Sequence, residues 1–432
     1  MVRAVKFTGL ILALLLQVCF FTSGVSAEDG STISDMSLED LLKLPISYGF
    51  DKSPVAVHVF MNGAYWDFGK QALGAYADVG TNGSATAAPD APVSGYPTFM
   101  TYSAYVDIMC QINKNLSGEV EFEMYKARNP GGFKITKVKQ TWTPNEYFRM
   151  SIGRDFPPIG VQDKVYYPPS QFRTFSFSPY LYWDVLRATG WWDAGIFLTG
   201  TVPVPFIGEE AKAILDVAML NGPGDAHQAT KLVDLMKPNA NGYMYENFMA
   251  KGRQPWDNNR NKYIPIRLAV KPISKLEVGA SYASGKYDFD EQYGAAFAFA
   301  HALYGGDKLT IAAEYGQLQI DVKPTNMQTA ANTANGTYND SKVTQFSYYL
   351  SAGYKVLQDK YVHFVEPVVR YEFMDAWQED DLNKGDRQVL WAGVRCAPYK
   401  YWTLKAGYGW QMEKEEYKLD NNGFILESVL EF

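Results

Sequence analysis

The sequence lacks most features on which soluble enzymes and disulfide-stabilised secreted proteins depend. Only 3 of its 432 residues are cysteine, which excludes a disulfide scaffold. Acidic residues outnumber basic ones, 47 to 40, and no basic run occurs, which argues against a nucleic-acid partner. The four histidines are scattered, and no phosphate-loop, dinucleotide, serine-nucleophile or zinc-protease motif is present. We therefore expect no enzyme, no metal site and no cofactor.

Long apolar runs are also missing, although aromatic residues are abundant. Beyond residue 27 no stretch approaches the roughly 18 apolar residues of a membrane-spanning helix. Aromatic residues make up 15% of the chain, yet the mean hydropathy is −0.23. Segments such as 264–270, 276–282 and 402–412 alternate with a period of two. One face is apolar and aromatic and the other small, polar or charged, which predicts half-buried β-strands.

Residues 1–27 are predicted to be a secretory signal peptide. A basic start is followed by an apolar run over 10–21 and a small-residue site, so cleavage is expected between Ala27 and Glu28. A membrane anchor would need a longer apolar run, and a lipoprotein signal at Cys19 lacks the small residue expected before it. We expect 28–54 to form a periplasmic segment with a short helix over 37–44, or else a plug of the lumen or a docking site.

The remaining chain, 55–432, divides into 16 predicted strands. They lie near 55–66, 98–112, 116–127, 133–142, 147–154, 187–200, 212–220, 263–272, 276–287, 293–303, 308–320, 342–356, 361–374, 387–398, 402–413 and 422–432. Connections after odd-numbered strands are mostly long and those after even-numbered strands mostly short. A soluble domain has no reason to sort its loops in this way. The pattern predicts an all-β, 16-stranded antiparallel transmembrane barrel with short periplasmic turns and long extracellular loops. The tenth, alanine-rich strand is needed for this parity.

Aromatic residues lie near the expected strand ends, where rings with one polar edge suit the membrane surface. They are Tyr65, Trp66, Trp142, Tyr147, Phe148, Trp391, Tyr401 and Trp402. The last strand alternates and ends on Phe432, which resembles the C-terminal signature strand of bacterial outer-membrane barrels. That resemblance implies Phe432 as an assembly signal for the barrel-assembly machinery, in the outer membrane of a Gram-negative bacterium.

A barrel of this size leaves a water-filled channel, and charged residues on the polar strand faces are candidates for its wall. The basic candidates are Arg149, Arg187, Arg267, Lys271, Arg370, Arg395 and Lys405. The acidic candidates are Glu119, Glu121, Glu123, Asp193, Glu277, Glu314, Glu366 and Glu372. Each could instead be an ordinary solvated wall residue.

The connection 155–186, after the fifth strand, is predicted to be an ordered constriction loop. Up to residue 182 it holds five prolines and eight aromatic residues. If it folds inward, Asp163, Lys164 and Arg173 are candidates for the narrowest point. The alternative is a loop packed over the outer rim.

Four segments, 148–160, 220–222, 257–262 and 276–287, resemble phosphate-selective porin O/P-like channels. The resemblance covers roughly 100–290 and implies a 16-stranded, usually trimeric channel. Phosphate selectivity is not implied, because the loop has no ladder of arginines. The chain is also similar in style to outer-membrane channels of metal-reducing deltaproteobacteria.

Three functions remain open at this stage. The first is a porin for passive diffusion of ions and small hydrophilic solutes. The second is a barrel sheath around a multihaem cytochrome that conducts electrons, which requires a lumen without a constriction. The third, an outer-membrane enzyme, requires a catalytic cluster that the sequence does not show.

Overall fold

The chain forms one closed antiparallel β-sheet of 16 strands in the computed structural model. The structure describes residues 55–68, 98–125, 132–175, 179, 181–182, 191–223, 260–287, 291–321, 342–359, 362–375, 387–412 and 422–432. The strands are β1 (Val55–Phe68), β2 (Thr98–Asn113), β3 (Leu116–Tyr125), β4 (Gly132–Asn145), β5 (Phe148–Asp155), β6 (Asp193–Pro203), β7 (Lys212–Leu220), β8 (Ile266–Ile273), β9 (Leu276–Lys286), β10 (Gly294–Gly305), β11 (Leu309–Asp321), β12 (Lys342–Tyr354), β13 (Phe364–Asp375), β14 (Arg387–Tyr399), β15 (Trp402–Gln411) and β16 (Gly423–Glu431). A short helix, α1 (Gln162–Val165), lies between β5 and β6. No helix in the described ranges is long and apolar enough to cross a membrane.

Every strand pairs with its neighbours in sequence, and β1 closes the barrel against β16. Closure runs in register from Phe60 opposite Glu431 to Phe68 opposite Gly423. Closure satisfies the backbone groups that an open sheet edge would expose, as an apolar environment requires. The predicted fold class is confirmed, including the tenth strand, which pairs along its length with β9 and β11.

The connections sort by parity as predicted. Those after even-numbered strands are short, at 114–115, 146–147, 204–211, 274–275, 306–308, 355–363 and 400–401. Those after odd-numbered strands include the long connections 69–97, 156–192, 221–265 and 322–341. The predicted signal peptide, its cleavage site at Ala27 and Glu28, and the helix over 37–44 lie outside the described residues.

The distribution of side chains is the inverse of that in a soluble protein. Large apolar side chains on the outer face are exposed, such as Ile152, Leu268 and Leu350 at 52%, 56% and 54%. Charged side chains such as Glu366 and Arg370 lie inside and are almost completely buried. A barrel whose outer surface meets lipid has this arrangement.

Two details differ from the sequence predictions. Trp391 was expected at the membrane surface, but it faces inward and is buried, with its ring 5.6 Å from that of Phe175. It lies on the same strand face as Arg395, so period-two alternation turns it inward. In addition, β6 begins at Asp193 and not near 187, and Trp191 and Trp192, just before it, are buried side chains.

Candidate pore and constriction loop

The connection 156–192, which we call the inward loop, crosses the interior of the barrel. Its described residues hydrogen-bond to strands that are far apart around the closed sheet. The contacts are Tyr167 Oη to Glu121 of β3 (2.7 Å), Gly160 N to Ser281 of β9 (2.8 Å), Val161 N to Glu314 of β11 (3.0 Å) and Lys405 of β15 to Pro168 O (2.6 Å). A segment that touches β3, β9, β11 and β15 of one barrel must pass through its lumen.

Local sequence explains how the chain enters the lumen. Gly153, near the end of β5, has φ +138°, and a Cβ there would lie 2.0 Å from Val138 O. Gly160 has φ +58°, and its Cβ would lie 2.1 Å from Glu314 Oε1. Only glycine fits both backbone conformations without strain. The two glycines flank Pro157 and Pro158, which stiffen the entry into the lumen.

One side of the inward loop forms an apolar core with the barrel wall. The loop contributes Ile159, Val161, Val165, Leu181, Tyr182 and Trp191, and the wall contributes mainly Phe297, Phe299, Leu303, Leu318 and Tyr349. Full burial of one such side chain contributes about 1.5–3 kcal/mol. The loop is thus held against β10–β12 by ordinary core packing.

A buried carboxylate, Glu314, forms the main polar anchor of this contact. It accepts hydrogen bonds from Val161 N (3.0 Å), Tyr182 Oη (2.5 Å) and Tyr349 Oη (3.1 Å). Burial and the neighbouring Glu314 hold the pKa of Tyr182 well above its usual value. The phenol therefore stays protonated and remains a donor to the carboxylate.

A second set of anchors lies on β14 and β15. Arg395 Nη1 donates to Gln171 O and to Glu366 Oε2, both at 3.0 Å. Lys405 Nζ donates to two loop carbonyls, at 2.6 and 3.1 Å, and pairs with Glu427 at 3.2 Å. The cations that hold the loop are themselves neutralised by wall carboxylates, as buried charges require.

The predicted wall residues therefore fall into three groups. The first group is buried inside the barrel, and most of its members contact the inward loop directly or contact a residue that does. Its members are Arg370, Arg395, Lys405, Glu123, Asp193, Glu314, Glu366 and Glu372. Glu277 accepts from Lys164 of the loop at 2.5 Å and lies within 4 Å of Arg267, Lys271 and His301. An open cavity is bordered by Arg149, Arg267, Glu119 and Glu121. Arg187 lies outside the described residues.

The three predicted constriction residues also separate. Asp163 borders the cavity and Lys164 is paired with Glu277, whereas Arg173 is buried and donates to Tyr166 O. Arg173 thus stabilises the fold of the loop instead of presenting a charge to the open space.

The open cavity, which we call the vestibule, has a volume of about 720 Å³. It lies between the inward loop and the short-turn ends of β1–β8, as shown by lining residues such as Val55, Gln111, Thr143 and Arg149. Its β2–β5 side carries a ladder of charges in which Lys137 Nζ is 3.4 Å from Glu119 and 3.1 Å from Glu121.

Five charged vestibule residues were absent from the sequence predictions: Asp107, Lys137, Lys139, Asp155 and Asp216. The two lysines could have been found. In the β3–β4 hairpin they lie directly opposite Glu121 and Glu119, and opposite residues of two paired strands share one face, here the face that carries the predicted acids.

Comparisons with known proteins show which solved structures share this fold. No family model matches the chain, and no curated protein matches it. Two solved structures match over 88% of this chain. One is the outer-membrane channel DcaP of Acinetobacter baumannii, with 10% sequence identity, 97% of that chain covered and a TM-score of 0.54. The other is an anion-selective porin from Comamonas acidovorans, with 11% sequence identity, 100% of that chain covered and a TM-score of 0.54. Salmonella typhi OmpF, in complex with daunomycin, also matches over 88% of this chain, with 14% sequence identity, 97% of that chain covered and a TM-score of 0.52. At these identities the likeness shows a shared barrel fold.

Proposed function

We propose that the chain is an outer-membrane porin that allows passive diffusion of ions and small hydrophilic solutes. One observation carries this proposal: a closed barrel, apolar outside and charged inside, contains a loop that narrows the lumen but leaves the vestibule open. Similar solved structures are outer-membrane channels and porins, which supports the same function and a Gram-negative outer membrane as its location.

The partners follow from this architecture. The exposed apolar face requires outer-membrane lipid. We propose a homotrimer, as the resemblance to phosphate-selective porin O/P-like channels implies, and a C-terminal strand ending on Phe432 suits recognition by the barrel-assembly machinery. Phe432 is 60% exposed and accessible at the barrel end.

The geometry favours a non-selective or weakly selective channel over one selective for phosphate. Of the two basic residues expected in the constriction, Lys164 is neutralised by Glu277 and Arg173 is buried. Around the vestibule the acids Asp107, Glu119, Glu121, Asp155, Asp163 and Asp216 outnumber the bases Lys137, Lys139, Arg149 and Arg267, six to four. An anion would meet no unpaired cluster of cations there.

The two alternatives gain no support. A sheath around a multihaem cytochrome needs an unobstructed lumen, whereas the inward loop crosses it. An enzyme needs a cluster of reactive groups, and most charges within the described lumen are ion pairs or loop anchors. We therefore propose a channel that carries out no reaction.

Planar-bilayer recording of the purified, folded protein tests this proposal. We expect discrete open-channel steps, with a conductance below that of a variant in which loop residues 161–175 are replaced by a short glycine-serine linker. A folded protein that gives no steps in either form would contradict the proposal. Equal conductance in both forms would show that the loop does not narrow the path.

A further inference from the structure

One carboxylate on the vestibule wall lacks the partners that its neighbours have. Asp107 of β2 is 6% exposed and borders the vestibule, and its Oδ1 has no hydrogen-bond partner within the described part of the chain. Every other acid of this wall is engaged. Lys137 is shared by Glu119 and Glu121, and Lys139 by Glu119 (3.0 Å) and Asp155 (2.6 Å).

The ladder therefore has more acids than bases, four to two. Two lysines serve three paired carboxylates, and Asp107 adds a fourth without a cation of its own. A buried oxygen without a donor is costly, because it has lost water and gained nothing in exchange. A cationic donor that enters the vestibule removes this cost and corrects the local excess of negative charge.

We propose that the vestibule binds solutes carrying an ammonium or guanidinium group, and that Asp107 is the carboxylate that receives this group. The inference rests on the proposed channel function and assigns it a preferred class of solute, small organic cations. Binding would be a step in permeation, with the solute held in the vestibule.

Two observations favour a hydrogen-bonding organic cation over a coordinated metal ion. Within the described residues, no three His, Cys, Asp or Glu side chains are grouped so that they could hold a metal. The vestibule, at about 720 Å³, also has the size of a small-molecule site. An ammonium group supplies the donors that Asp107 lacks.

Channel block by putrescine, a diamine, tests the proposal in wild-type protein and in Asp107→Asn. Asparagine keeps the shape but removes the charge, so we expect block to weaken about tenfold, the value of one charge-assisted hydrogen bond. Asp107→Glu should restore block. Gln111→Ala, which removes a neutral polar side chain bordering the same cavity, is the matched control. Putrescine should block it as strongly as it blocks wild type. Succinate should not block any of the four.

A second variant keeps the test independent of how Asp107→Asn folds. Met109 lies two residues away on the same strand face, so Met109→Lys places a tethered ammonium beside Asp107 and should abolish putrescine block. If putrescine blocks Asp107→Asn and Met109→Lys as strongly as wild type, or fails to block a conducting wild-type channel, the inference is wrong while the channel function stands. Absence of conductance in folded wild type would instead remove the proposed function.

Discussion

The two halves of the lumen use similar charged residues for different purposes. On β9–β15, Glu314, Arg395 and Lys405 are buried and bonded to the inward loop. On β1–β8, Glu119 and Arg149 border open space. All five side chains occupy inward positions of alternating strands, so an inward charge by itself does not identify a residue that lines the water-filled path.

The difference arises from what lies opposite each wall. The β10–β12 wall presents large apolar side chains, against which the loop packs as a core. The β2–β4 wall presents a ladder of ion pairs, whose charges already satisfy one another. The loop packs against β10–β12 and also contacts β1–β3 through Tyr166 and Tyr167, and the vestibule lies between it and the short-turn ends of β1–β8.

Replacing a buried loop anchor should have the largest effect. Arg395→Gln leaves Glu366 buried without its cation and the carbonyl of Gln171 without its donor, so we expect a loss of about 3–5 kcal/mol in the free energy of unfolding. Urea titration of the folded protein in detergent measures this loss. A change below about 1 kcal/mol would mean that the pair is not buried as described.

Replacing a glycine at the loop entry should have an intermediate effect. In Gly160→Ala the new Cβ collides with Glu314 at a left-handed φ, so we expect a cost of about 1–3 kcal/mol and a less regular open-channel current. Gly200→Ala is the matched control, because the nearest described atom would lie 3.9 Å from its new Cβ. If both variants behave alike, the tight contact at Gly160 does not hold the loop.

Replacing a charge on the open side should barely affect stability. Arg149 is exposed, forms no ion pair in the described part of the chain and donates only to Thr199, at 3.4 Å. We expect Arg149→Glu to change the free energy of unfolding by no more than about 0.5 kcal/mol. Its reversal potential in a salt gradient should shift toward cation preference. An unchanged potential would remove Arg149 from the permeation path.

Most of the barrel could be predicted from the sequence because each strand encodes its own two faces. The segment 276–286 places Val278 and Tyr282 outside and Glu277 inside, as its alternation predicts. The alanine-rich β10 was harder to predict, because small residues indicate neither the lipid-facing nor the lumen-facing side of a strand. The alternation of short and long connections nevertheless required a strand at this position. The start of β6 was predicted too early because Trp191 and Trp192 fit the aromatic end of a strand as well as they fit a loop packed inside the lumen. Only the packing of the two side chains distinguishes a strand from a loop there.

The sequence by itself determined the number of strands, the sorting of the loops and which side chains face inward, because period-two alternation and turn length are local properties. Only the tertiary structure decided which inward charges meet water. Lys405 and the carbonyl of Pro168 are separated by 237 residues in sequence, and they meet because closure of the barrel brings β15 beside the loop after β5. No local pattern records such a contact, so the division of the lumen into a part filled by the loop and an open part becomes visible only in the closed barrel.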